Sequence, residues 1–168
     1  LSILEIPNPD LTIIKQEDKL SKNNKEIPWR FGVHIPVEIS TKSHGDWTNR
    51  NGWSRWELTL KSKGATSLNL NFNKFFLPED AELIIYNQNG KAEIEALNQS
   101  NNKIDSLFSI RPIIGEEIRL ELILPNSQKS LVRLEISGLV YGYRNITQKL
   151  NKTFNASGAC NININCEE

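Results

Sequence analysis

Arg55-Trp-Glu-Leu-Thr-Leu60 and Glu117-Ile-Arg-Leu-Glu-Leu-Ile-Leu124 both read with a period of two. Trp56, Leu58 and Leu60 fall on one face of the first, and Ile118, Leu120, Leu122 and Leu124 on one face of the second. A strand needs this alternation when one side packs on a core and the other meets water. The same period continues outward in Ser67-Leu-Asn-Leu-Asn-Phe72, in Leu131-Val-Arg-Leu-Glu-Ile136 and from Gly138 to Tyr143. Trp29-Arg-Phe-Gly-Val-His-Ile-Pro-Val-Glu-Ile39 alternates for much of its length, and Pro36 marks an edge or a break. Ala81 to Tyr86 and Lys91 to Leu97 flank Asn87-Gln-Asn-Gly90, a turn signal suited to a hairpin. Gly64, Pro78, Gly115 and Pro125-Asn126 interrupt the pattern where loops are expected. About seven or eight short strands at regular spacing predict an all-β fold, an antiparallel β-sandwich with jelly-roll-like connections.

The flanks read differently. Residues 1–26 are polar and irregular, an N-terminal arm with at most one short element; the sandwich is expected over 27–144. Residues 145–156 are polar, carry Lys149 and Lys152 and have no periodicity, which is the composition of a linker. Residues 157–168 hold both cysteines, in Cys160-Asn-Ile-Asn-Ile-Asn-Cys166, and read as the first strand of another unit. Along an extended strand, positions six apart lie roughly 20 Å from each other. A disulfide needs Cα atoms within about 7 Å, so these two do not pair with each other unless the strand folds back. Either they are free thiols or their partners lie in further polypeptide. Met is absent, so the first residue is not expected to be a translation start.

Composition excludes some roles. Lys plus Arg number 20, as do Asp plus Glu, so the formal net charge is zero and no basic excess points to nucleic acid. No apolar run approaches the ~20 residues of a membrane span. Serine-nucleophile chemistry needs a hydroxyl, an imidazole and an orienting acid. Only His34 and His44 supply imidazoles. His34 sits inside a strand and His44 in the loop Ser43-His-Gly-Asp46, and neither neighbours a Gly-Asp-Ser-Gly-type sequence. No catalytic residue is therefore assigned, and the segment is not expected to be an enzyme. Two distant histidines and a terminal Cys-x5-Cys match no tetrahedral zinc spacing, and no cofactor is called for. Glu79-Asp80 and Glu116-Glu117 read as solvated loop acids. Trp47 and Trp53 flank Asn49-Arg-Asn-Gly52 and offer a stacking surface for sugars if exposed; burial is the expectation, and for Trp56 the core. Arg30 is a candidate contact to a loop or partner, with a structural salt bridge as the plainer role. Asp105-Ser106-Leu107 resembles a bacterial O-glycosylation acceptor, which makes Ser106 a candidate modification site.

Several phrases combine. Arg30-Phe-Gly32, Asn51-Gly-Trp-Ser-Arg-Trp-Glu-Leu-Thr-Leu60 and Gly64-Ala-Thr-Ser-Leu-Asn-Leu70 are followed by Phe76-Leu-Pro78, Ala81-Glu-Leu-Ile-Ile-Tyr-Asn87 and Val140-Tyr-Gly-Tyr-Arg144. In this order they resemble the N-terminal pro-region of secreted bacterial lysyl-endopeptidase-like serine proteases of trypsin-like fold. Ser157-Gly-Ala-Cys-Asn-Ile-Asn-Ile-Asn-Cys166 resembles the start of the mature protease. The resemblance implies a pro-domain whose partner is its own protease domain, which it inhibits or helps to fold while tethered. It implies disulfides from Cys160 and Cys166 to cysteines deeper in that domain, and export to an oxidising space outside a bacterium or to its surface. A lysine-specific protease maturing itself would cut after Lys149 or Lys152, with Lys152 preferred. The triad residues belong to the protease domain and have no counterparts here. Two other functions fit the residues: a structural or adaptor subunit of an exported assembly, with cell-surface proteins as partners, and a carbohydrate-binding module.

Overall fold

The strands follow from the alternation. In a computed structural model, which describes residues 2–22, 24 and 28–147, the elements are β1 (Ile3–Glu5), α1 (Thr12–Leu20), β2 (Gly32–Ser40), β3 (Asp46–Arg50), β4 (Trp53–Lys61), β5 (Ser67–Phe76), β6 (Glu82–Asn87), β7 (Phe108–Ser109), β8 (Ile113–Ile114), β9 (Glu117–Pro125) and β10 (Arg133–Gly142). The inward residues of β4 and β9 are among the most buried of the chain: Trp56, Leu58, Leu60, Ile118, Leu120, Leu122 and Leu124. Burying each such side chain contributes about 1.5–3 kcal/mol.

Two sheets face each other across this core. The first has the order β1-β4-β9-β6, and β3 shares the β1 edge of β4, end to end with it. The second has the order β2-β10-β5-β7, with β8 beside β7 on the same edge of β5. Leu68, Leu70, Phe72 and Phe75 from β5 and Leu134, Ile136, Leu139 and Tyr141 from β10 meet the apolar face of the first sheet. All strand pairs are antiparallel except β1 with β4. From β2 onward the chain crosses from sheet to sheet at nearly every connection, hairpin β3–β4 and the pair β7–β8 counting as single steps. Strand β10 lies between β2 and β5, and β9 lies between β4 and β6. This is the wiring of a jelly roll, as the strand spacing predicts.

Three local readings change. The arm, expected to hold at most one short element, holds both β1 and α1, and Ile6 is buried in the core. The segments expected at 131–136 and 138–143 form one strand, Arg133–Gly142, with the exposed Leu131 ending a 3-10 turn before it. The register shifts around Ser137 let Leu134 and Ile136, then Leu139 and Tyr141, all face inward. The second arm of the Asn87–Gly90 hairpin pairs with β6 through the isolated bridges Leu83–Leu97 and Tyr86–Ala92 and not as a continuous ladder. The turn itself is held by the Asn87 side chain, which accepts from the backbone N–H of Asn89 and Lys91. Pro36 lies on β2, an edge strand, at the register shift against β10.

Candidate functional site

The densest polar cluster lies where β10 hands the chain on. β10 ends at Gly142, and the next residues, Tyr143 and Arg144, both donate backbone N–H groups to Phe31 O, at 3.0 and 3.3 Å. Thr66 Oγ1 donates to the carbonyls of Gly142 and Arg144 from the other side. The side chains of Tyr143 and Arg144 then converge on Asp18, near the end of α1. Tyr143 Oη lies 2.6 Å and Arg144 Nη2 2.5 Å from Asp18 Oδ2. Arg30, at the entrance to β2, donates through Nε and Nη2 to Asp18 Oδ1 at 3.4 and 3.2 Å, and through Nη2 to Glu17 Oε2 at 2.8 Å. A single carboxylate thus ties the helix, the entry to β2 and the exit from β10.

The electrostatics follow from this geometry. The Asp18 side chain is only 10% exposed. Burial by itself would raise its carboxyl, but hydrogen bonds from Tyr143, Arg30 and Arg144 outweigh it and hold the group below the usual carboxylate range. Hydrogen bonds to Glu17 and Asp18 push the Arg30 guanidinium further up. Burial, then the bond to Asp18, raises the Tyr143 phenol. The Arg144 guanidinium lies 5.5 Å from the Trp29 ring centroid, and Trp29 stacks on Phe31 at 6.4 Å. A groove of about 1000 Å³ runs beside the cluster, between α1 and Trp29. Within the cluster the Arg30 and Arg144 guanidiniums and the Tyr143 hydroxyl all meet the Asp18 carboxylate, an arrangement that fastens the chain, while Lys15, Lys19 and Lys22 line the groove beside it.

Arg30 makes the salt bridge that is the plainer of its two expected roles, with Glu17 and Asp18, and also lines the groove. Trp47 and Trp53 do not form one platform. Trp47 pairs with Trp56 across β3 and β4, is half-buried, donates Nε1–H to Thr41 O at 2.8 Å and lies under Lys129 Nζ at 4.3 Å. Trp53 lies on the opposite face of β4 and is 49% exposed, against the expectation of burial. Its strand position places it outward, with Ser54 and Trp56 inward. Trp56 is in the core, as the alternation predicts.

The two histidines lie on different elements, His34 on β2 and His44 in the turn before β3. His34 is exposed, its ring lying over Gly138. His44 Nδ1 and Ser43 Oγ are 2.8 Å apart, but they are neighbours in an exposed turn, and Ser43 Oγ is equally close to Ser40 Oγ. Ser106, half-buried and with φ 57°, closes the turn from Lys103, whose apex carries the fully exposed Ile104. Leu107 N–H donates to Asp105 Oδ1, and Ser106 O accepts from Phe75 N–H. Lys149, Lys152, Cys160 and Cys166 lie outside the described residues. Among the described residues no three of His, Cys, Asp and Glu cluster as a metal site, and no helix is long and apolar enough to cross a membrane.

Arg30 is a visible candidate in the sequence, but its companions Asp18, Tyr143 and Arg144 are not. Asp18 is twelve residues away on a helix the alternation does not reveal, and only the tertiary fold brings it to the strand exit. No protein-family model matches the chain.

Proposed function

We propose that the sandwich is the non-catalytic pro-domain of an exported, lysyl-endopeptidase-like serine protease. It acts as a tethered inhibitor or folding assistant until the chain is cut after Lys149 or Lys152. The observation that carries this reading is the fastening of Arg144 to Asp18. The last strand is sealed on both sides at the residue from which the lysine-bearing segment departs. A cut at either lysine therefore removes no contact of the sandwich among the described residues. The resemblance of 157–168 to a mature protease start supports the same reading.

A pro-domain of this kind works by binding energy. The tether makes its contact with the protease intramolecular, so a weak interface holds until the tether is cut and is then diluted. The trypsin-like barrels it precedes are rich in non-local strand pairs and fold slowly, which gives a folded neighbour time to act on them. Cys160 and Cys166 would join the protease by disulfides, in an oxidising space outside a bacterial cell or on its surface. The test is N-terminal sequencing of the protease matured from the full-length gene product. The expected start is residue 153, or residue 150 for the upstream lysine; a start outside 145–157 overturns the proposal.

A further inference from the structure

At the opposite end of the sandwich from Arg144, Trp53 stands over a shallow groove of about 570 Å³. This size lies within the usual range of small-molecule sites. The groove crosses from the outer face of the first sheet to the loops beyond it, and Glu79, Asp80, Glu82, Asn98 and Ile123 line it with Trp53. The strand register explains the assembly. Ile123 of β9 pairs with Glu82 of β6 on one side and with Arg55 of β4 on the other, two residues along from the Trp53–Pro125 pair and on the same face. Glu79 and Asp80 arrive on the loop between β5 and β6, where Asp80 is fixed by two hydrogen bonds with Gln128. Asn98, also in the lining, is fixed through its Oδ1, which accepts from Ser100 N–H and Oγ–H.

The chemistry of this lining selects its occupant. A half-exposed indole at a groove offers a flat apolar surface, and a pyranose with equatorial hydroxyls presents a matching face of C–H bonds. Three carboxylates beside the ring accept from hydroxyl or ammonium groups. No lysine or arginine lines the groove, so an anionic sugar would meet uncompensated negative charge. We propose that this groove binds a saccharide of gluco-configured pyranoses, and favours units that carry a free amine. Trp53 supplies the stacking surface, Glu79 and Glu82 take the ammonium or hydroxyl protons, and Asn98 fixes orientation.

The site does not depend on the pro-domain reading. β4 carries Trp53 at one end and Lys61 at the other, separated by roughly 26 Å of strand, and the chain departs at the Lys61 end. A ligand at Trp53 and a domain tethered beyond Arg144 therefore occupy opposite poles, so the module would hold its cargo near a polysaccharide without blocking the tether.

The test is calorimetric titration of the full chain with a β-1,4-glucosamine tetramer, cellotetraose, a heparin-derived tetrasaccharide and a tetralysine peptide. The expected result is a Kd of about 0.1–1 mM for the glucosamine tetramer. Cellotetraose should bind more weakly, and the sulfated sugar not at all. Trp53→Ala should weaken the glucosamine tetramer at least about tenfold, with Trp53→Phe intermediate. Glu82→Gln should narrow the gap between the glucosamine tetramer and cellotetraose. Absence of binding by both gluco-configured probes overturns the proposal, as does binding that Trp53→Ala and Glu82→Gln leave intact. Tetralysine binding as tightly as the glucosamine tetramer and competing with it would make this a cationic-peptide site and equally overturn the assignment.

Discussion

Asp18 shows how one side chain sets a boundary. It accepts from Tyr143, Arg30 and Arg144 at once, and charge-assisted bonds to a mostly buried carboxylate are worth more than ordinary surface pairs. Asp18→Asn should lower the melting temperature near neutral pH by about 3–6 °C. The pH dependence has a fixed sign. The folded carboxyl titrates below its unfolded value, so the unfolded chain takes up the proton first as pH falls. The contribution is full above about pH 4, the ordinary carboxyl range, and is lost as pH drops through the depressed folded value. Melts of both proteins across acid pH check this: the gap between them should close in acid, and a gap of constant size would assign the effect to shape alone. Glycine supplies a second contrast. Gly45 has φ +79°, and a Cβ there would meet the Trp56 indole nitrogen and lie 2.7 Å from Glu57 O. Gly52 has nearly the same φ, +82°, with open space around it. Gly45→Ala should therefore cost at least about 3 kcal/mol, and Gly52→Ala about 1 kcal/mol, read as urea midpoints at constant m.

At the scale of elements, β1 contributes far more than its three residues suggest. It adds in parallel to the free end of the β4 edge, where Ser2 O accepts from Thr59 N–H and Ile6 N–H donates to Lys61 O. Ser62 Oγ donates to Ile6 O, and the Ile6 side chain enters the core. Deleting residues 1–6 should destabilise the sandwich by about 2–4 kcal/mol, mostly through Ile6. It should also speed amide exchange at Thr59 more than at Leu58, whose neighbours on β9 are untouched; unchanged protection at Thr59 would show that β1 is dispensable. The same elements show what a sequence reveals. β4, β5 and β9 are legible because each must present one apolar face, and a period of two leaves a visible trace of that demand. β1 leaves none, since three residues cannot display a period and its pairing is decided by an edge more than fifty residues away. β10 is hidden for another reason. Its register shift reverses the alternation midway, so one strand reads as two. The candidate site divides similarly. Trp53 stands out as a residue type, but its exposure depends on a strand parity set by Trp56, and Asp18 meets Arg30 only through the tertiary fold.

For the molecule as a whole, the placement of β10 governs folding. Among the described residues it is the last strand in sequence and a central one in space, holding β2 on one edge and β5 on the other. The second sheet cannot close until residues 133–142 are in place, and such non-local pairing makes folding slow and cooperative. The exit cluster then adds Tyr143 and Arg144, and with them α1 and the entry to β2. A chain ending at Gly138 should therefore fail to fold, because it loses Leu139 and Tyr141 from the core together with the whole seal. A chain ending at Thr147 should keep all of these contacts, and its melting temperature should stay within about 2 °C of the full chain. Far-ultraviolet circular dichroism and thermal melts of the two truncations distinguish the cases. If removing 148–168 unfolds the sandwich, its stability resides partly in the segment that follows, and a cut at Lys149 or Lys152 could not release an intact domain.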